Sequence, residues 1–142
     1  MRTLQRRVFP GDFSNLAQIA RFVAQATEAA GLSDRAAYAV QVAVDEACSN
    51  IIEHAYGGEG VGSIDCTYVV TEDSLIITLR DEGRPFDPTL LTDPDLDVQL
   101  EERALGGLGV YLMRQLMDTV DHRYEAGLGN VLTLVKCREA GL

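Results

Sequence analysis

The sequence predicts an α+β domain built in two layers, helices packed against a sheet. Three observations carry this. Helices and strands come in blocks (strand, two helices, two strands, loop, helix, two strands) instead of strict alternation, which disfavours a doubly wound sheet. Ala36, Ala39, Val40, Ala43, Val44, Ala47 and Ile51 recur at three- and four-residue steps, the stripe of a helix lying on a sheet. Leu75, Ile77 and Leu79 alternate with Ile76, Thr78 and Arg80, the pattern of a strand with one buried face.

The elements follow in order. Thr3–Phe9 alternates weakly and reads as an edge strand, ended by Pro10-Gly11. Asp12 or Ser14 is expected to cap a helix running to about Ala30, with Leu16, Ile19, Phe22 and Val23 on one face and Gly31 as terminator. Ser33 caps the second helix, which Gly57-Gly58 ends. Ile64–Thr71 and Ser74–Arg80 form a hairpin across Glu72-Asp73. From Asp81 to Glu102 eight acidic residues and three prolines stand against the single basic Arg84. That is a long polar loop, and loops of this length are commonly lids or binding loops. Gly106-Gly107-Leu108-Gly109 then opens a helix carrying Val110, Leu112, Met113, Leu116 and Met117. Two strands, about Thr119–Glu125 and Asn130–Cys137, flank Gly127-Leu128-Gly129.

Composition narrows the function. The chain has 142 residues, 46% of them hydrophobic and 24% charged, enough for one domain over 1–142 with its own core. Its net charge of −10 repels phosphodiester backbones and anionic lipid, which excludes a general nucleic-acid or membrane-surface role. Three cysteines without a CxxC pair and only two histidines exclude a structural zinc site. The first residues carry charge but no apolar h-region, and no run approaches the roughly 20 apolar residues of a bilayer span. A reduced, cytoplasmic protein is expected, with Cys48, Cys66 and Cys137 as buried thiols.

Three clusters can carry chemistry. Glu46 and Asn50 are four residues apart in the second helix, beside the apolar stripe. Asn is a poor mid-helix residue, while its amide oxygen suits Mg²⁺ and a carboxylate one turn away suits a general base. The plain alternative is a solvent-facing Glu and Asn. Asp81-Glu82-Gly83-Arg84-Pro85-Phe86-Asp87-Pro88 directly follows a strand. Asp81 can accept from an exocyclic amine such as adenine's, and Gly83 lets a flat base approach; an ordinary Asp-x-Gly turn reads the same way. The third cluster, Gly106-Gly107-Leu108-Gly109, opens a helix whose N–H groups and dipole favour phosphate, or it is a flexible hinge. It is neither a Walker A sequence nor the dinucleotide fingerprint. His54 reads as a capping or packing histidine near a helix end.

In this order the three clusters resemble the GHKL ATP-binding superfamily, and within it the anti-sigma-factor serine/threonine kinases. The N box is matched by Asp45-Glu46-Ala47-Cys48-Ser49-Asn50-Ile51-Ile52-Glu53-His54-Ala55-Tyr56, the next box by Asp81 to Pro88. The glycine box is matched by Gly106-Gly107-Leu108-Gly109-Val110-Tyr111-Leu112-Met113, and Gly129-Asn130-Val131-Leu132-Thr133-Leu134-Val135-Lys136 also fits. The resemblance implies a mixed, mostly antiparallel sheet with helices on one face and an ATP lid at about 87–106. It implies ATP and Mg²⁺ as cofactors. Asn50 would bind Mg²⁺ and Glu46 would activate a serine hydroxyl. Asp81 would accept from the adenine amine, with Gly83 beneath the ring and Thr133 in support. Gly106, Gly107, Leu108 and Gly109 would hold the phosphates; Arg103, just before them, is either a candidate for the γ-phosphate or an ordinary solvated arginine. The implied partners are a STAS-domain anti-anti-sigma protein and a sigma factor or similar target held inactive, commonly by a homodimer. A nucleotide-gated binder with little turnover, or a stray histidine-kinase catalytic domain, are the alternatives.

Overall fold

The computed structural model describes residues 3–87 and 107–138. Its elements are β1 (Thr3–Pro10), α1 (Leu16–Ala29), α2 (Asp34–Asn50), β2 (Ser63–Val70), β3 (Ser74–Asp81), α3 (Gly107–Leu116), β4 (Thr119–Glu125) and β5 (Gly129–Cys137). Most of the acidic loop and Arg103, the expected lid among them, lie outside the described residues, as does Gly106.

The five strands form one sheet in the order β1-β2-β3-β5-β4. All four pairings among the described residues are antiparallel, which agrees with the expected two-layer α+β fold; no parallel pair is found among them where a mixed, mostly antiparallel sheet was expected. The connections give the reason. Two helical passes between β1 and β2 make three reversals of the chain, an odd number, and so deliver β2 against β1 in the opposite sense. β2 to β3 and β4 to β5 are hairpins, which can only be antiparallel.

Helices cover one face of the sheet. α1 buries Ile19, Phe22, Val23 and Ala26, and α2 buries Ala36, Ala39, Val40, Ala43, Val44 and Ala47. These meet Ile64, Cys66, Tyr68, Leu75, Ile77, Leu79, Leu132 and Leu134 from alternate strand positions. The Phe22 ring sits 5.8 Å from that of Phe9 and 5.1 Å from that of Tyr68. α3 packs on α2 and contributes Met113 and Met117 to the same core.

Local signals hold with two exceptions. Ser33 caps α2 as expected, its hydroxyl accepting from the Ala36 amide at 3.1 Å. Neither Asp12 nor Ser14 caps α1. A 3₁₀ turn, Phe13–Asn15, precedes the helix, and the Asp12 carboxylate instead accepts from the Gly60 amide at 2.8 Å. Glu59 answers by accepting from the Phe13 amide at 2.7 Å, so the two loops are clamped together. A cap position was outcompeted by a loop distant in sequence. The second exception is Cys137, which is exposed near the end of β5, while Cys48 and Cys66 are buried as expected. Replacing Ser33 by Ala should lower unfolding stability by about 1 kcal/mol, the usual value of a single N-cap. Urea denaturation reads this directly, and an unchanged midpoint would show the cap to be energetically silent.

Candidate functional site

The site forms where α2 ends over the C-terminal end of β3. α2 passes at Asn50 into a π-helical turn, Ile51–Ala55, in which the Tyr56 amide donates to the Ile51 carbonyl at 2.9 Å. Such widened turns concentrate at functional sites because they redirect side chains that a regular helix would spread around its axis. Here Ala47, Asn50, Ile51 and Ala55 come to line one wall of a cleft with about 290 Å³ of free space, part of it open to solvent. The sheet supplies the opposite wall with Asp81, Asn130, Leu132 and His122, and Phe86 closes the side. A mostly apolar cavity with a few polar groups is the form of a small-molecule site.

Asn50 is buried at 4% exposure, and its Nδ2 has no partner. Buried polar groups are almost always satisfied, so a buried amide left open toward a cavity marks a place completed by a ligand. Glu46, one turn earlier, is half-buried. Burial pushes its carboxyl above the ordinary range, and the nearby charges of Asp45 and Glu53 push the same way. Among the described residues no cluster of three or more His, Cys, Asp or Glu can hold a metal. A divalent ion at Asn50 would therefore take its remaining ligands from the phosphates of a bound nucleotide and from water, a usual arrangement for Mg²⁺.

Asp81 is buried at 3% exposure at the last position of β3. Its Oδ1 accepts from Asn130 Nδ2 at 2.9 Å and from the Gly83 amide at 2.9 Å. Both bonds land on one oxygen and leave Oδ2 outside them. Burial raises the carboxyl above its ordinary value, while the two donors oppose the rise. Gly83 itself is fixed by packing. A Cβ there would stand 2.5 Å from the Ala55 carbonyl oxygen, the same oxygen that accepts from the Arg84 amide at 2.9 Å. Gly129 does the matching job on β5: at φ +100°, it lies where any Cβ would collide with the Asp81 carbonyl.

One expected residue is misplaced. Thr133 pairs with Thr78 on β3 and Asp121 on β4, out of phase with Leu132 and Leu134, whose side chains face the helices. Strand side chains alternate between faces, so Thr133 points away from the cavity. The support beside Asp81 comes from Asn130, which faces it across the β3–β5 register. Sequence reading had also passed over Phe86, whose ring stacks on His54 at 5.0 Å and 20°, and His122. His54 is thus the packing histidine expected. The detectable signal for Asn130 was positional: the first residues after the Gly127–Gly129 turn must meet the end of β3. Gly107, Leu108 and Gly109 lie in the first turn of α3, whose leading backbone N–H groups have no intrahelical acceptor.

Comparison with known proteins shows the family. The family described as the histidine kinase-like ATPase domain matches residues 9–136. A serine-protein kinase RsbW of Listeria monocytogenes is 35% identical over 108 residues, covering 73% of this chain and 69% of that protein. One from Bacillus cereus is 33% identical over 120 residues, covering 78% and 74%.

The raised Glu46 carboxyl has a consequence for stability. A folded value above the unfolded one means the folded chain holds the proton more tightly, so stability falls as pH rises from the ordinary 4.5 through the raised value. Glu46→Gln should accordingly be at least as stable as the parent at pH 7, with the gain vanishing below about pH 4. Denaturant midpoints at both pH values measure it; a variant less stable at pH 7 would contradict the burial argument.

Proposed function

The chain belongs to the histidine kinase-like ATPase family, and from that premise we propose that it is an ATP-dependent serine/threonine protein kinase of the anti-sigma-factor type. The observation that carries the reading is the pairing, in one cavity, of the unpartnered Asn50 amide with the half-engaged Asp81 carboxylate. The open N–H donor of Asn50 suits a phosphate oxygen at one end of the cavity, and the Asp81 carboxylate suits an amine-bearing base at the other. The proposed substrate is a serine or threonine on a STAS-domain anti-anti-sigma protein. The proposed second partner is a sigma factor or similar target held by a cytoplasmic homodimer.

The roles follow from chemistry. Asp81 Oδ2 accepts a hydrogen from the adenine amine while Oδ1 is held by Asn130 and Gly83. Gly83 keeps the adjoining backbone flat against Ala55 and so sets the plane beneath the ring. Gly107, Leu108 and Gly109 offer backbone N–H groups to the phosphates in the first turn of α3, and Gly106, which lies outside the described residues, is proposed for the same role. Asn50 would hold Mg²⁺ through its amide oxygen, and the ion would supply positive charge against the phosphates. Glu46 takes the proton of the incoming hydroxyl, and its raised basicity strengthens that transfer. The hydroxyl oxygen bonds to the γ-phosphorus, the bond from that phosphorus to the bridging oxygen breaks, and ADP leaves. Positioning and charge stabilisation are most of what phosphoryl transfer requires, so few side chains suffice.

Calorimetric titration with ATP, with and without Mg²⁺, tests the site. Asp81→Asn should weaken binding by about 10- to 100-fold, as expected for losing a bond to a charged acceptor. Asn50→Ala should bind more weakly and without Mg²⁺ dependence. With a cognate STAS protein, Glu46→Gln should lower phosphotransfer by about 10²- to 10⁴-fold with binding retained. The product should survive acid, as phosphoserine does and phosphohistidine does not. Absence of ATP binding in the parent would remove the reading, and binding without turnover would leave a nucleotide-gated binder.

A further inference from the structure

The buried polar groups around Asp81 extend beyond what nucleotide binding needs. Asn130 is 3% exposed, and every hydrogen-bonding position of its amide is engaged. Nδ2 donates both hydrogens, to Asp81 Oδ1 at 2.9 Å and to the Arg84 carbonyl at 2.8 Å. Oδ1 accepts from the Phe86 amide at 3.0 Å. Two acceptors on one side and a donor on the other fix which way the amide faces. The second lone pair of Oδ1 meets His122 Nε2 at 2.8 Å. Because Oδ1 can only accept, His122 must carry its proton on Nε2. The ring is nearly sealed, with 6% side-chain exposure, and its Nδ1 lies 3.5 Å from Asp87 Oδ2.

Resting on the nucleotide-site reading above, we propose that His122 is a positioning residue for the nucleobase: by donating from Nε2 it locks Asn130, and through Asn130 it fixes both the Asp81 carboxylate and the 84–87 segment beside the cavity. The topology makes this economical. His122 on β4 lies opposite Leu132 on β5, two residues from Asn130 and on the same face. Asn130 lies opposite Asp81 on β3. One ring on the outermost strand thus braces a carboxylate two strands away. Asn130 is held in one rotamer by four partners; without His122 it keeps three, and the side facing β4 is open. The carboxylate can then turn about its last side-chain bond, and Oδ2 no longer has a fixed place to accept a 6-amino hydrogen. A base carrying a 6-oxo group never made that bond and loses nothing.

The test compares ADP with IDP, whose 6-oxo group and N1–H replace the 6-amino group and bare N1 of adenine, on the parent, His122→Leu and His122→Gln. The parent should favour ADP. His122→Leu should lose roughly tenfold in ADP affinity, the scale of one buried hydrogen-bond network, with IDP changed less than about twofold. His122→Gln, which restores an N–H donor, should recover most of the loss. Equal losses for both nucleotides, equal losses in both variants, or an unchanged His122→Leu would each overturn the proposal, the first two by reducing His122 to packing. A parent that binds neither nucleotide would instead strike the nucleotide reading itself. Ring ¹⁵N–¹H correlation spectra of the parent supply a check that needs no variant at 122, with His54→Gln assigning the two histidines. A slowly exchanging proton on His122 Nε2 is expected, and a ring protonated only on Nδ1 would overturn the proposal.

Discussion

A carboxylate buried at the end of a central strand has to be solvated by the protein, since leaving it bare in an apolar interior costs several kcal/mol or forces it to take up a proton. The Asp81–Asn130 hydrogen bond is the answer this fold gives, and much else depends on it. It ties the last residue of β3 to the first turn of β5. Through the same Asn130 amide it draws the Arg84 carbonyl and the Phe86 amide onto the sheet. Arg84 in turn reaches back, its Nε donating to the His54 carbonyl at 2.6 Å and its amide to Ala55. The end of α2, the end of β3 and the start of β5 are therefore one bonded unit. A cavity between them has fixed walls.

The sheet that carries this unit is asymmetric. One face is packed with helices, and the other carries Thr67, Thr78, Thr133 and Asp121 across four neighbouring strands. On that outer face Asp65 is gripped by Arg6, at 2.9 and 3.1 Å from Nε and 2.6 Å from Nη2, with Arg80 at 3.4 Å. The paired guanidinium groups hold the Asp65 carboxyl below its usual range. β1 is an edge strand exposed along nearly its whole length, and its Arg6, Arg7 and Pro10 make it a poor template for further strand pairing. The function-bearing chemistry collects on the covered face, where exclusion of water strengthens each polar contact.

Much of this was legible in the chain. The α2 stripe, the Ser33 cap and the alternation in β3 are local patterns with a fixed period, and each appears where its period puts it. The spacing of Glu46 and Asn50 placed both at the edge of the buried stripe, and Asn50 proved fully inside it. Asp81 was readable because an Asp-x-Gly directly after a strand offers a carboxylate to an amine and a glycine beside it. The failures share a cause. Asp12 gave its carboxylate to Gly60, forty-eight residues away, and Thr133 fell on the wrong side because strand parity turns on a single residue.

Composition and periodicity, then, determined the class of fold, the helix that carries Glu46 and Asn50, and the strand that ends on Asp81, because those depend on interactions within a few residues. Which groups meet around the cavity was decided only by tertiary structure. The register of β5 against β3 chose Asn130 over Thr133, the π turn aimed Ala55 and Ile51 at the same space as Asn50, and β4 brought His122 alongside. These are long-range pairings set by how strands align and how buried polar groups find partners. No local pattern encodes a partner fifty residues away.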